Sequence, residues 1–342
     1  MSRAGSGSLP RYVAQRALLV IPMIWVILTL VFLVLRVAPG DPVSAALGDK
    51  LDEHQLDLRR EALGFNKPLI VQYWEYVSAV ARLDFGTTYS DNQSVLDVVR
   101  DNGGATLSLT LSAFVVALLV GIPLGLIAGR YRDSFPDVLI RLFGILSYAA
   151  PIFFVGFLLQ IYVAKPLGLP TSGASSPITA FTVQPHTHIL LVDAFLSGDG
   201  TAIVDVLKHL LLPAVTLGLL ICGVFIRLVR VNILQTMQSD YVEAAEARGI
   251  DRIKVTWRHA FRNALVPVIT VIGLQFALLL GGAVLTEATF NWPGLGQKLV
   301  KYINLRDYGA VQGIVTIFAI AVVLISLLVD IVNALIDPRV RY

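Results

Sequence analysis

The residues that could do chemistry are few: a histidine pair, His186 and His188 in QPHTHI, and two acids set against long apolar runs, Glu287 and Asp330. Two imidazoles this close together could ligate a cation, but without nearby cysteine or carboxylate ligands they read as solvated loop residues. An acid within an apolar run is a functional candidate by default, because leaving it unpaired in lipid is expensive. Asp330 lies only about two helical turns before Pro338, so it can sit near an interface and pair with a basic residue or cap a neighbouring helix. A proton relay is the alternative use of such a group. Phosphate and hydrolytic chemistry lack their usual apparatus: the chain has no G-x-x-x-x-G-K-[ST], no G-x-S-x-G and no H-E-x-x-H. The glycines of GIPLGLIAG, Gly121, Gly125 and Gly129, fall four residues apart on one helix face, a pattern that lets a second helix approach closely. No catalytic residue and no metal site is assigned.

The elements that must position these groups are set by composition. Across 342 residues, 56% are hydrophobic and 15% charged. With a mean hydropathy of +0.72, the chain is too apolar for an ordinary soluble domain and reads as an integral membrane protein. Six runs are long enough to cross the bilayer as helices: Ala17 to Leu35, Ala105 to Ala128, Val138 to Ala164, Leu210 to Ile226, Ala264 to Leu285 and Val311 to Leu335. The first is longer than a signal-peptide core, and no small-residue cleavage pattern follows it before Arg36. The single cysteine, Cys222, lies inside a run, so no intramolecular disulfide can form. The expected fold is therefore an all-α polytopic membrane protein with six transmembrane helices.

Charge sets the expected orientation. Short links carry Arg3, Arg11, Arg16, Arg130, Arg132, seven Lys or Arg between Arg227 and Arg262, and Arg339 and Arg341. By the positive-inside rule these links and both termini are cytoplasmic. Arg227 and Arg230 place the edge of the fourth span near Ile226. The outside then holds Val37 to Gly104, Lys165 to His209 and Thr286 to Ala310. The first of these, mixed polar and apolar with scattered aromatics, reads as a small helical subdomain packed on the span ends. The second contains TSGASSPITAFTVQP, which reads as an extended loop. The domain division is 1–36 for the cytoplasmic N-terminus and first span, 37–104 for the extracytoplasmic subdomain, and 105–342 for a core of five spans that includes a cytoplasmic loop at 227–263.

That loop contains DYVEAAEARGIDRIKVTWRHAFRNALVP. Taken as a helix, Arg248 to Ala264 gathers Ile250, Ile253, Trp257 and Phe261 on one side and Arg252, Lys254, Arg258 and Arg262 on the other, the pattern of an interfacial helix resting on headgroups. Ahead of it, YVEAAEARG is a short Ala-rich helix stopped by Gly249, suited to a groove on a soluble partner.

The stretch EAAEARG resembles the EAA-loop signature of permease subunits of bacterial ABC importers, matched at Glu243, Ala244, Ala245 and Gly249. HAFRNALVP closing at Pro267, APGDP at 38–42, EATFNWPGLG at 287–296, RDYGAVQG at 306–313 and DPRVR at 337–341 are similar to the dipeptide/oligopeptide/nickel branch of that family, so the resemblance covers nearly the whole chain. Pro267 falls later after Gly249 than in sugar importers, and the Lys165 to His209 loop is long for the family, which leaves its role open. The resemblance implies a type I importer permease fold in the bacterial inner membrane and a chain that catalyses nothing itself. Glu243, Ala244, Ala245, Arg248 and Gly249 would form the coupling element on an ATPase. The implied partners are a second homologous permease, two ATPase domains that bind the ATP and Mg, and an extracytoplasmic binding protein; lipid is the surrounding medium and nucleic acid plays no part. The implied cargo is a dipeptide or short oligopeptide, with nickel or another small solute as the runner-up. The substrate-binding residues remain unassigned. An ion-coupled secondary transporter is a competing class, disfavoured by the lack of an internal repeat and the scarcity of buried ionisable groups.

Overall fold

The computed structural model describes residues 9–37, 52–62, 64–249 and 266–336. The features noted above at APGDP, at residues 250–265 and at DPRVR lie outside the described residues. Those described are almost wholly helical, and the only β pairing among them is one antiparallel bridge, Thr87 with Ser94.

The long elements are α1 (Leu9–Val37), α4 (Val95–Arg130), α9 (Gly200–Met237), α11 (Val266–Thr289) and α13 (Tyr308–Ile336). Short helices α2 (Glu53–Ala62) and α3 (Leu69–Ala81) precede α4. A bent pair, α5 (Phe135–Ala149) and α6 (Ile152–Leu167), follows it. Then come α7 (Pro177–Thr182) and α8 (Leu190–Ser197), α10 (Asp240–Ala247) after α9, and α12 (Leu295–Asn304) between α11 and α13. By length and composition α1, α4, α9 and α13 can each cross a membrane, and the α5–α6 pair makes a fifth if it counts as one span.

The third apolar run, expected as one continuous helix from Val138 to Ala164, is broken instead: α5 and α6 meet at 108°. The cause is Pro151, which lacks an amide donor and drives the residue before it out of helical geometry; Ala150 is extended at φ −72°, ψ 133°. The loop containing TSGASSPITAFTVQP is also less extended than expected. Ser176 caps α7 by accepting from the Thr179 amide, and Pro177 takes the first helical position, where no amide is needed.

The centre is the packing of α4 on α9, which run parallel. Their backbones approach along the glycine face anticipated from the sequence. A β-carbon at Gly121 would stand 2.7 Å from Phe225 Cβ, at Gly125 2.7 Å from the Ile226 carbonyl, and at Gly129 2.9 Å from Ile233 Cγ2. Leu109, Leu217, Phe225 and Ile233 fill the surrounding core and are fully or nearly fully buried. Because α4 and α9 run in the same direction, the chain between them must return. The α5–α6 pair does this: it starts beside the end of α4, and Gln160 on α6 donates to the carbonyl of Thr289 at the far end of α11.

All the long helices therefore connect the same two ends. One end holds α2, α3, α7, α8 and α12. There Thr29 of α1 bonds Tyr73 of α3 at 2.7 Å, and Tyr76 of α3 bonds Thr316 of α13 at 2.6 Å. The other end holds the close of α4, the turn into α5, the close of α9, and α10. Asp330 on α13 pairs with Arg16 on α1 toward this second end at 3.2 Å, the basic partner that its position in the sequence called for.

Candidate functional site

The second end is built around α9, whose 38 residues span about 57 Å at helical rise, nearly twice a hydrocarbon core. Its last turns therefore carry α10 beyond the apolar part of the molecule. After Met237 the chain turns through Gln238, and the Ser239 carbonyl accepts from the amides of Val242 at 2.9 Å and Glu243 at 3.2 Å, starting α10 at once. Val242 is 1% exposed and pins the new helix. Glu243, Ala244, Ala247 and Arg248 fall within an arc of about 140° at a helical step of 100° per residue, and all four are exposed. Ala245 lies on the same short helix. Two methyl groups on this face allow a partner's backbone or side chains to come close, while Glu243 and Arg248 supply polar contacts at its margins.

Gly249 ends the element with φ +76°, and a β-carbon there would meet nothing within 4 Å among the described residues. The constraint here is the left-handed backbone itself, which costs a residue with a β-carbon about 1 kcal/mol or more.

The base from which α10 projects is held by an ion pair that sequence reasoning did not find. Asp137, at the start of α5, is fully buried; Arg230 on α9 donates to it twice, from Nε to Oδ1 at 2.7 Å and from Nη2 to Oδ2 at 2.9 Å. The amide of Asp133 donates to the same carboxylate at 3.0 Å, and Arg141 stands 3.5 Å away. A bidentate guanidinium–carboxylate pair fixes direction as well as distance. It ties the turn after α4 to the close of α9. The available sequence signal was an acid directly before an apolar run, in a link that holds Arg130, Arg132 and a second acid, Asp133.

At the opposite end Glu287, a candidate from its place in the sequence, is fully buried and paired rather than free. It accepts from Thr106 Oγ1 at 2.7 Å and from the Gln297 amide at 2.9 Å, while Thr106 accepts from the Leu295 amide at 2.8 Å. Trp292 Nε1 donates to the Ala105 carbonyl at 2.9 Å. The glycines of EATFNWPGLG make room for this carboxylate, since a β-carbon on Gly294 would lie 2.3 Å from it and one on Gly296 2.8 Å. The motif therefore folds around Glu287 and clamps α11 and α12 onto α4. Of the histidines, His188 accepts from Arg100 Nε at 3.1 Å and faces Asp101 at 3.8 Å.

Nearby, Asp91 accepts hydrogen bonds from Thr88 and from the Tyr302 hydroxyl, the latter at 3.2 Å, with Lys301 at 3.5 Å. Burial works to raise the Asp91 carboxyl, but the Thr88 bond, the Lys301 charge and the Tyr302 bond together hold it below the usual carboxylate value. Burial first, and then the charge of Asp91, push the Tyr302 phenol up to about 12.

Residues 121–342 match the inner membrane component family of binding-protein-dependent transport systems, and residues 9–110 match the N-terminal membrane component of the same systems. The chain belongs to this family and is a multi-pass membrane protein, a transport permease rather than an enzyme. It is 36% identical over 333 residues to the di/tripeptide transport system permease protein DppB of Pseudomonas aeruginosa, covering 97% of this chain and 98% of the relative. It is 33% identical over 332 residues to the dipeptide transport system permease protein DppB of Alkalihalophilus pseudofirmus, covering 97% and 99%. It is 34% identical, with the same two coverages, to the glutathione transport system permease protein GsiC of Escherichia coli K12.

Proposed function

We propose that this chain is one of two permease subunits of an ATP-driven importer that carries dipeptides or short oligopeptides across the bacterial cytoplasmic membrane. The observation that carries the coupling part of this reading is α10: an exposed, alanine-bearing helix at the tip of α9, closed by a glycine at φ +76°. Glu243, Ala244, Ala245, Arg248 and Gly249 form the surface that seats in a groove of a cytoplasmic ATPase. Closure of two ATPase domains around ATP and Mg moves α10, and the rigid α4–α9 pair transmits the movement to the rest of the spans. The second permease is a homologue of this one, and an extracytoplasmic binding protein delivers cargo to the opposite end.

In this reading there are six spans, with the α5–α6 pair as the third and α11 as the fifth. Both termini, the turn at 129–137 and the 227–263 loop face the cytoplasm. Residues 37–104 form the extracytoplasmic subdomain between the first two spans, and 105–342 the core. The arginines at the α10 end support that orientation through the positive-inside rule, and the peptide cargo rests on the relatives' names.

The test is uptake of labelled tri-alanine into proteoliposomes holding both permeases and the ATPases, with the binding protein outside. Uptake that needs enclosed ATP and ignores an imposed proton gradient supports the reading. Uptake driven by the gradient without ATP contradicts it, and uptake of nickel ions with none of peptide refutes the cargo.

A further inference from the structure

A groove of about 740 Å³ opens between α5, α9 and α11, on the side of α9 away from α4's glycine face. Its floor is the closest backbone contact between α5 and α9, where a β-carbon on Gly223 would lie 2.3 Å from the Gly144 carbonyl oxygen. Its walls are mainly aliphatic, with the Tyr148 ring and the Gln275 amide among them. Three guanidinium groups line it: those of Arg141, Arg227 and Arg230.

Their charges are not balanced. Arg230 is committed to Asp137 by two hydrogen bonds, and Arg141 reaches that same carboxylate only at 3.5 Å. Arg227 makes no hydrogen bond or ion pair among the described residues. Three positive charges against one enclosed carboxylate leave an excess of two. The Arg141 side chain is 46% accessible and Arg227 is exposed, so both guanidiniums are open to an incoming anion, and their planar fork fits a carboxylate in particular. Aliphatic walls take side chains of many shapes, so a groove of this kind reads a main-chain terminus rather than a sequence.

We propose that Arg141 and Arg227 form a carboxylate subsite on the translocation path, which holds the C-terminal carboxylate of a peptide in transit between α5, α9 and α11. This rests on the reading of the chain as a peptide importer permease. A phospholipid phosphate would offer the two arginines the same anionic oxygens, and the experiment separates the two sources.

The complete importer is assembled in phosphatidylethanolamine and phosphatidylglycerol with wild-type permease, Arg227→Gln, Arg227→Lys, or Arg141→Gln combined with Arg227→Gln. ATP-driven uptake of labelled tri-alanine is measured for each, together with the phosphatidylglycerol that copurifies. Loss of one charge-assisted contact predicts that Arg227→Gln lowers uptake about tenfold or more. The double variant should fall further and Arg227→Lys recover a large part, with subunit yield and bound lipid as in wild type. Should Arg227→Gln fail to assemble, Arg227→Met, which keeps the aliphatic stem, replaces it. Wild-type uptake by the assembled double variant overturns the proposal. So does a loss of bound phosphatidylglycerol that accounts for the lost uptake and is reversed by added lipid. A wild-type importer that never carries tri-alanine fails the underlying reading instead.

Discussion

Arg230 and Asp137, 93 positions apart in the chain, meet in a two-bond ion pair whose carboxylate has no exposed side-chain surface. The pair fixes the turn after α4 against the last third of α9, the element from which α10 projects. Removing Arg230 leaves the buried Asp137 carboxylate with only the Asp133 amide and the more distant Arg141, a loss of up to about 3–5 kcal/mol. Arg230→Leu is therefore expected to lower the melting temperature of the detergent-purified complex and its yield markedly. Asp137→Leu combined with Arg230→Leu should be less harmful than either single change. Thermal melts of the three variants check this, and an undisturbed melt for Arg230→Leu would show the pair to be incidental.

Tyr302 and Asp91 give the opposite end a pH dependence. The Tyr302 phenol is raised from 10 to about 12 by burial and by the Asp91 charge, so the folded state favours its neutral form. A group of this kind contributes stability below its unfolded value, and that contribution is lost as pH rises from about 10 toward 12. Wild-type protein is expected to lose melting temperature more steeply over that interval than Tyr302→Phe, which has no phenol to ionise. Parallel curves for the two proteins would show that Tyr302 ionisation does not limit stability in this interval.

The sequence conveyed much of this architecture and missed parts of it for definite reasons. The glycine ladder at Gly121, Gly125 and Gly129 was legible because a four-residue period on an apolar helix has one geometric consequence. The basic partner of Asp330 was legible in kind, since an acid near an interface needs one, but its identity as Arg16 was not, because that depends on which helices are neighbours. The break at Pro151 was hidden by continuous hydropathy on both sides. The true lengths of α4 and α9 were hidden for the opposite reason: their ends are polar, and an apolar run marks only the part of a helix that lies in lipid. The Glu287 and Asp137 networks could not be read at all, because their partners Thr106 and Arg230 lie 181 and 93 positions away and join them only through the fold.

Asp330 and Arg16 form a partly exposed pair, with 32% and 42% of their side-chain surfaces accessible. Such pairs contribute about 0–1 kcal/mol. Asp330→Asn should therefore leave uptake within about twofold of wild type, with an unchanged pH profile. A shifted pH profile, or loss of uptake in a fully assembled complex, would assign Asp330 to a proton relay and favour ion-coupled transport.

In the proposed function, α10 and its closing glycine join this permease to the ATPase that drives it. Gly249→Val challenges this, because at φ +76°, with nothing within 4 Å among the described residues, the substitution strains the backbone first. The decisive measurement is ATP hydrolysis and labelled tri-alanine uptake, side by side, in proteoliposomes carrying the wild-type or the Gly249→Val importer. The Gly249→Val importer is expected to insert and pair with the second permease normally, with uptake reduced to background, either because the ATPase no longer copurifies or because it hydrolyses ATP without transport. Wild-type uptake with wild-type ATPase retention would mean that α10 is not the coupling element.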